Sequence, residues 1–374
     1  MTNAVAIAQG GSNNVTQRNR IINGAMVIDQ RNAGASISGN NNVYSLDRWK
    51  IETSQNSKFT VQQTPSATET GYATRVGAGF TNYLACTSSA ATSVGAGDYY
   101  QVEQLIEGFN TADLAWGTSN AKTVTLSFWA YSSLTGTFGG YLGNSAFNRL
   151  YPFTYTISSA NTWTQISVTI AGDTSGTWIG ATNGIGMYVG FILGIGSTYG
   201  GGTANAWNTT KWGATGITNV VATNTATFYI TGVQLEAGTT ASPFEYRQYG
   251  TELALCQRYY EKSYDYGAIA GAVGNNAYCG SSIGANSNNI ASTAIYSATY
   301  YKVTKRATAT VTIYGYNGGV TNASLASSGA DLGNNSGNLN SNATTVFTVN
   351  NSTGGALTTG QYGVIWHYTS SAEL

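Results

Sequence analysis

Charge is what this chain has least of. Asp, Glu, Lys and Arg make up only 9% of 374 residues, with 16 basic against 16 acidic and a formal net charge of zero. Nucleic-acid binding needs a basic stripe that displaces counterions from phosphates, and polybasic membrane contact needs the same; no block of either sign occurs, so both are excluded. No run of about 18 apolar residues exists that would span a membrane as a helix. The first twenty residues, MTNAVAIAQGGSNNVTQRNR, lack a basic segment leading into an apolar core, so the expectation is a soluble product of the cytosol.

Cysteine, histidine and proline are equally scarce. Cys86, Cys256 and Cys279 are odd in number, far apart and without a CxxC pair, which excludes a zinc ribbon or dithiol couple and leaves buried free thiols. His367 is the sole histidine. Ser-His-Asp chemistry would rest on that one position, and no GxSxG elbow accompanies it. There is no Walker A motif, and the Gly-rich stretches follow turns rather than a strand entering a helix. The chain therefore reads as non-enzymatic, with no cofactor and no metal.

What is abundant is apolar and aromatic: 42% hydrophobic residues, 26 Tyr and 8 Trp, with 47 Gly among many Asn, Ser and Thr. That balance argues against disorder and for a β-rich, turn-rich protein whose surface hydrogen-bonds more than it titrates. At this length it suits two domains, or one large all-β domain with extensions. Strand-like runs recur at 48–61, 98–105, 122–131, 164–170, 184–193 and 226–235. Val124, Leu126, Phe128 and Ala130 alternate with Thr125, Ser127 and Trp129, the period-two signature of a strand with one face inward. Short strands without interleaved helices predict an antiparallel sandwich or jelly roll over 19–245. Its longest loop, 194–218, carries Tyr199, Trp207 and Trp212 among glycines.

Around 227–262 the pattern changes. A half-buried strand ends, Gly238, Pro243 and Gly250 punctuate a connection, and a short helix follows over 251–262. Leu253, Cys256 and Tyr260 share one of its faces at i, i+3, i+7 spacing. A linker and short helix are therefore placed at 246–263, and a small antiparallel β domain at 264–374. Strand-like runs at 294–303, 309–316, 344–349 and 361–368 support that domain, with a polar loop at 326–343. Residues 1–18 read as a small, polar N-terminal arm, either disordered or an anchor.

The stretch FYITGVQLEAG followed by SPFEYRQYGTELALCQRYYEK resembles the seam of many bacteriophage tail-fibre and related virion fibre proteins. There it joins a carbohydrate-binding-module-like jelly roll to a C-terminal domain. NRIINGAMVIDQRNAG at 19–34, YSLDRW at 44–49 and the segment 151–178 look like the opening and middle of the same module; 305–319 matches loosely. The resemblance implies a homotrimeric virion fibre subunit, assembled in the host cytoplasm and released by lysis. Its arm would dock on other virion proteins, and it would attach to host surface glycans without cutting them. A short helix can pack on its own jelly roll or meet its copies around an axis. The resemblance favours a trimeric neck, with Leu253, Cys256 and Tyr260 on the shared face.

Three chemistries were weighed on residues. A depolymerase needs two carboxylates about 5–10 Å apart, and Glu103, Glu107 and Asp113 are the nearest candidates. Modules of this kind often hold a structural calcium; Asn23 and Gly24 match the loop, but Thr231 and Gly232 stand where acidic ligands are wanted. Sugar binding fits best, since sugar CH faces stack on Trp and Tyr while amides and hydroxyls meet sugar hydroxyls. Trp49, Trp129 and Trp163 fall on strand patterns and read as core, which leaves Tyr199, Trp207 and Trp212 as the glycan-binding candidates. A decoration, collar or connector fibre with no receptor role is the structural alternative.

Overall fold

A computed structural model describes residues 17–68, 76, 79–273, 279–281, 295–322, 324–325, 338–351 and 364–374. Residues 1–16 of the arm expected over 1–18, and residues 326–337 of the polar loop at 326–343, lie outside the described residues.

Twelve strands build a sandwich of two six-stranded antiparallel sheets. β1 (Ile37–Ser38), β4 (Phe59–Pro65), β5 (Asn82–Ser88), β7 (Val124–Ser132), β10 (Thr164–Ile170) and β12 (Thr227–Ala237) form one sheet, in the order β1-β4-β5-β12-β7-β10. β2 (Val43–Leu46), β3 (Trp49–Thr53), β6 (Tyr99–Glu107), β8 (Gly136–Gly143), β9 (Leu150–Ile157) and β11 (Ile185–Ile195) form the other, in the order β2-β3-β6-β11-β8-β9. Alternation sets which residues face inward: Leu126, Phe128 and Ala130 from one sheet meet Val102, Val189 and Phe191 from the other, all essentially inaccessible to solvent. The protein is an all-β jelly-roll sandwich.

The run at 48–61 is not one strand. β3 and β4 lie in different sheets, and the chain crosses between them through exposed Ser54 and the polar residues that follow. Periodicity alone cannot show a change of sheet, because both halves keep the same alternation.

One end of the sandwich is closed by residues 19–28. The Ile22 backbone exchanges two hydrogen bonds of 2.8 Å with the Gln104 amide, and Arg20 N–H donates to Leu235 O at 2.8 Å. Gly24 O accepts from Val233 N–H at 2.9 Å, and a Cβ on Gly24 would sit 2.1 Å from Val233 O, so only glycine fits that approach. Asn23 latches the segment, accepting from Ile28 N–H and donating to Ile28 O and Asp47 O.

The helix α1 spans Tyr249–Gln257, shorter than its pattern suggested, and the chain passes at once into β13 (Tyr260–Lys262). Tyr260 is therefore a strand residue. The C-terminal region adds β14 (Cys279–Ser281), β15 (Ile295–Tyr300), β16 (Thr310–Tyr314), β17 (Ser324–Leu325), β18 (Asn338–Asn342), β19 (Val346–Asn351) and β20 (Val364–Ser371). β20 is its hub, pairing antiparallel with β13, β14, β16 and β17. β18 reads NLNSN and lies in what the sequence marked as loop; pairing with β19, not hydrophobicity, makes it a strand.

Leu253, Cys256 and Tyr260, expected at a trimeric neck, make contacts within the chain itself. Cys256 is fully buried beside Ile22, Ile28 and Tyr259, with Leu253 partly buried in the same cluster. Tyr260 is 7% exposed and lies under the Arg31 guanidinium, 3.8 Å from its ring centroid. α1 thus packs on its own jelly roll, since an isolated helix of nine residues cannot hold itself together in water. Cys256 and Tyr260 are covered within the chain, and Leu253 stays partly exposed.

Candidate functional site

The outer face of the β3-β6-β11-β8 ribbon carries the site. Register places Lys50 opposite Glu103, Glu103 opposite Gly190, and Gly190 opposite Tyr141, one row across four strands. Gly190 is what lets the row close. A Cβ there would meet the Tyr141 ring at 2.3 Å, so its absence lets the tyrosine lie across the sheet toward Glu103. Tyr141 O–H donates to Glu103, Gln101 donates to the Tyr141 hydroxyl at 2.6 Å, and Trp212 indole N–H donates to Gln101 Oε1 at 3.1 Å. This is a hydrogen-bonded floor.

Above it opens a pocket of about 300 Å³ lined by Lys50, Glu52, Tyr99, Gln101, Glu103, Phe147, Tyr188, Tyr199 and Trp212. That is at the lower end of small-ligand pockets, about 300–1,000 Å³, and it has their usual makeup of aromatic walls with a few placed polar groups. The long loop supplies one wall. Tyr199 and Trp212 stack at 4.2 Å with planes 26° apart, and Tyr99 and Phe147 abut Trp212 edge-on at 6.0 and 5.1 Å. The loop is held in place by its own bonds, including Gly202 N–H to Gly213 O at 2.8 Å and Lys211 Nζ to Ser197 O and Thr198 O.

Electrostatics set the floor apart. Lys50 Nζ lies 2.9 Å from Glu52 and 3.7 Å from Glu103. Glu103 is 2% exposed, and burial pushes its carboxyl up to about 7 against the opposing pull of the Tyr141 bond and Lys50. The Tyr188 hydroxyl, half-buried above it, is pushed up to about 12 by burial and by Glu103 and Glu52.

Two of the three aromatic candidates meet here, Tyr199 and Trp212. Trp207 does not. Its indole N–H donates to Ala171 O at 3.0 Å, and its ring packs edge-on against Trp116, Trp178 and Tyr151 at 5.2–5.5 Å, against the main core. Of the carboxylates, Glu103 enters the pocket while Glu107 and Asp113 do not. Glu107 takes a two-pronged bond from Arg258 at 2.6 and 2.9 Å, and Asp113 pairs with Arg20 at 2.6 Å. His367 is buried, stacked on Tyr264 at 3.8 Å with Ser263 Oγ 3.0 Å from Nδ1.

Sequence reasoning missed Lys50, Glu52, Tyr99, Gln101, Phe147 and Tyr188. The signal was present in part: Lys50 and Glu52 alternate with Trp49 and Ile51, and Tyr99, Gln101 and Glu103 alternate with Tyr100 and Val102. Alternation names an outward face but not which outward faces become concave.

No protein-family model matches the chain, and no curated protein matches it. Solved structures do. The enzymatically active domain of bacteriophage CBA120 tailspike protein 4 is similar over 59% of this chain at 11% identity and a TM-score of 0.32; the match spans 22% of that tailspike chain. TmCBM61 in complex with β-1,4-galactotriose matches 59% of this chain and 100% of its own, at 8% identity and TM-score 0.29. A family 11 carbohydrate-binding module from Clostridium thermocellum, in complex with a mixed-linked tetrasaccharide, matches 55% and 98%, at 10% identity and TM-score 0.27. Scores this low assign this chain neither a ligand nor a role.

Proposed function

We propose that this protein binds glycans, without cleaving them, in the pocket under Tyr199 and Trp212. One observation supports this above the others. Aromatic rings form the pocket wall, and hydrogen-bonding groups form its floor, in the arrangement that suits a sugar with its CH faces against rings and its hydroxyls against amides. The setting proposed is a virion fibre subunit, assembled in the host cytoplasm and attaching to host surface glycans. The resemblance of residues 227–262 to the fibre seam supports that setting. A homotrimer remains part of the proposal, and of the three neck residues Leu253 is the one left partly exposed to meet a neighbouring copy.

Hydrolysis is the second reading, because Glu103 and Glu52 form a carboxylate pair of unequal environment, the usual basis for dividing acid and base roles. Binding is favoured over it. Glu103 is held by Tyr141, Gln101 and Lys50 at the foot of the pocket, so it is built into the floor.

The test is a glycan array and host-cell binding assay on purified protein of known solution mass, with release of reducing ends followed in parallel. Trp212→Ala is expected to weaken binding at least about tenfold, the order of one lost stacking contact, while Trp207→Ala leaves it unchanged. Equal loss in both variants would move the site off the pocket. Binding by neither variant nor the folded parent would leave a purely structural fibre, and reducing ends lost in Glu103→Gln would establish a depolymerase.

A further inference from the structure

Resting on that reading, we infer that the pocket is a charge filter that takes neutral and amine-bearing sugars and rejects acidic ones. Two carboxylates and one ammonium line it. The ammonium is already satisfied: Lys50 lies between Glu52 and Glu103, with its side chain only 13% exposed. Glu52 is the more open partner at 24%, so the charged group an incoming sugar meets is a carboxylate.

Among the described residues no second cation lines the pocket to answer an acidic ligand. Lys211, the basic residue of the overhanging loop, is bound to the carbonyls of Ser197 and Thr198 and does not line the pocket. A uronate or sialate would bring its carboxylate up to Glu52 beside the rings of Tyr99, Tyr199 and Trp212, and like charges juxtaposed there oppose binding. A free amine on the sugar would instead complete the coordination of Glu52. The neutral rings of Tyr99 and Trp212 stack on either kind of sugar, so the carboxylates, not the walls, discriminate.

The experiment sorts array glycans bound by the full chain into neutral, amine-bearing and acidic classes at pH 8, keeping only those lost in Trp212→Ala. The expected set is neutral and amine-bearing, with N-acetylation of a bound amine lowering affinity. Glu52→Gln, with its fold checked by circular dichroism, is expected to shrink the amine-over-acid ratio about tenfold. An acidic glycan bound best, or a ratio that Glu52→Gln leaves alone, overturns the filter while leaving glycan binding intact. If the folded protein binds no glycan, the reading of the pocket itself falls and the filter with it.

Discussion

Two regions of this molecule bury charge, and they do it differently. At the seam between the jelly roll and the C-terminal region the buried carboxylates Glu107, Glu261 and Glu373 each have their own partners. Glu107 is gripped by Arg258 and by Tyr259 O–H at 2.8 Å. Glu373 lies between Arg31 and Arg48, whose guanidinium rests 3.6 Å from the Tyr259 ring centroid. Glu261 takes Lys305 at 2.7 Å, Tyr368 O–H at 2.6 Å and the Lys302 amide, with both charged side chains fully buried. In the pocket, two carboxylates share one lysine beside about 300 Å³ of open space. Saturated charge fixes one part of a protein against another, and charge shared beside open space is the place to look for a ligand.

The largest expected effect breaks the seam. Lys305→Met leaves Glu261 buried without its cation and should cost about 3–5 kcal/mol in chemical denaturation, the usual penalty for half of a buried pair. Lys50→Met in the pocket should cost about 1 kcal/mol or less, because Glu52 reaches solvent and Glu103 can take up a proton. Similar costs for the two would erase the distinction.

The paired tryptophans sharpen it next. Trp207→Ala should destabilise by about 3 kcal/mol through the Trp116, Trp178 and Tyr151 packing it removes, read as a shifted denaturation midpoint. That loss belongs to folding and not to the pocket.

The last effect is a slope with pH. Glu103 binds its proton more tightly in the folded chain, about 7 against an ordinary 4.5, so its contribution to stability is full below about pH 4.5 and is lost as pH rises through about 7. The loss is on the order of 3 kcal/mol. Glu103→Gln should flatten that part of the profile. Asp47, pushed up to about 6 by burial, leaves a shallower slope of the same sign in the variant. A wild-type stability curve already flat between pH 5 and 7.5 would contradict the assignment.

Much of the fold was legible because alternation is local. Residues 164–170 came through unchanged, and Val124, Leu126, Phe128 and Ala130 face inward as their period requires. Part of the pocket was also legible: Tyr199 and Trp212 stood out as large aromatics in a long glycine-rich loop. Trp207 stood out for the same reason and went elsewhere, since composition gives a loop its rings but not the side to which each ring turns. Tyr141 carried no local signal, because its role depends on Gly190, which lies opposite it on the neighbouring strand β11.

The sequence by itself determined an all-β chain, a sandwich with a second β region after a short helix, and surfaces that hydrogen-bond more than they titrate. These follow from composition and period-two patterning, which act within a few residues. Tertiary structure alone decided that α1 packs on its own jelly roll, that β3 and β4 part into different sheets, and that Lys50, Glu52 and Glu103 share one floor. Each of those depends on strand register and on contacts between residues far apart in the chain, where pairing across a sheet, and not local propensity, sets what each side chain meets.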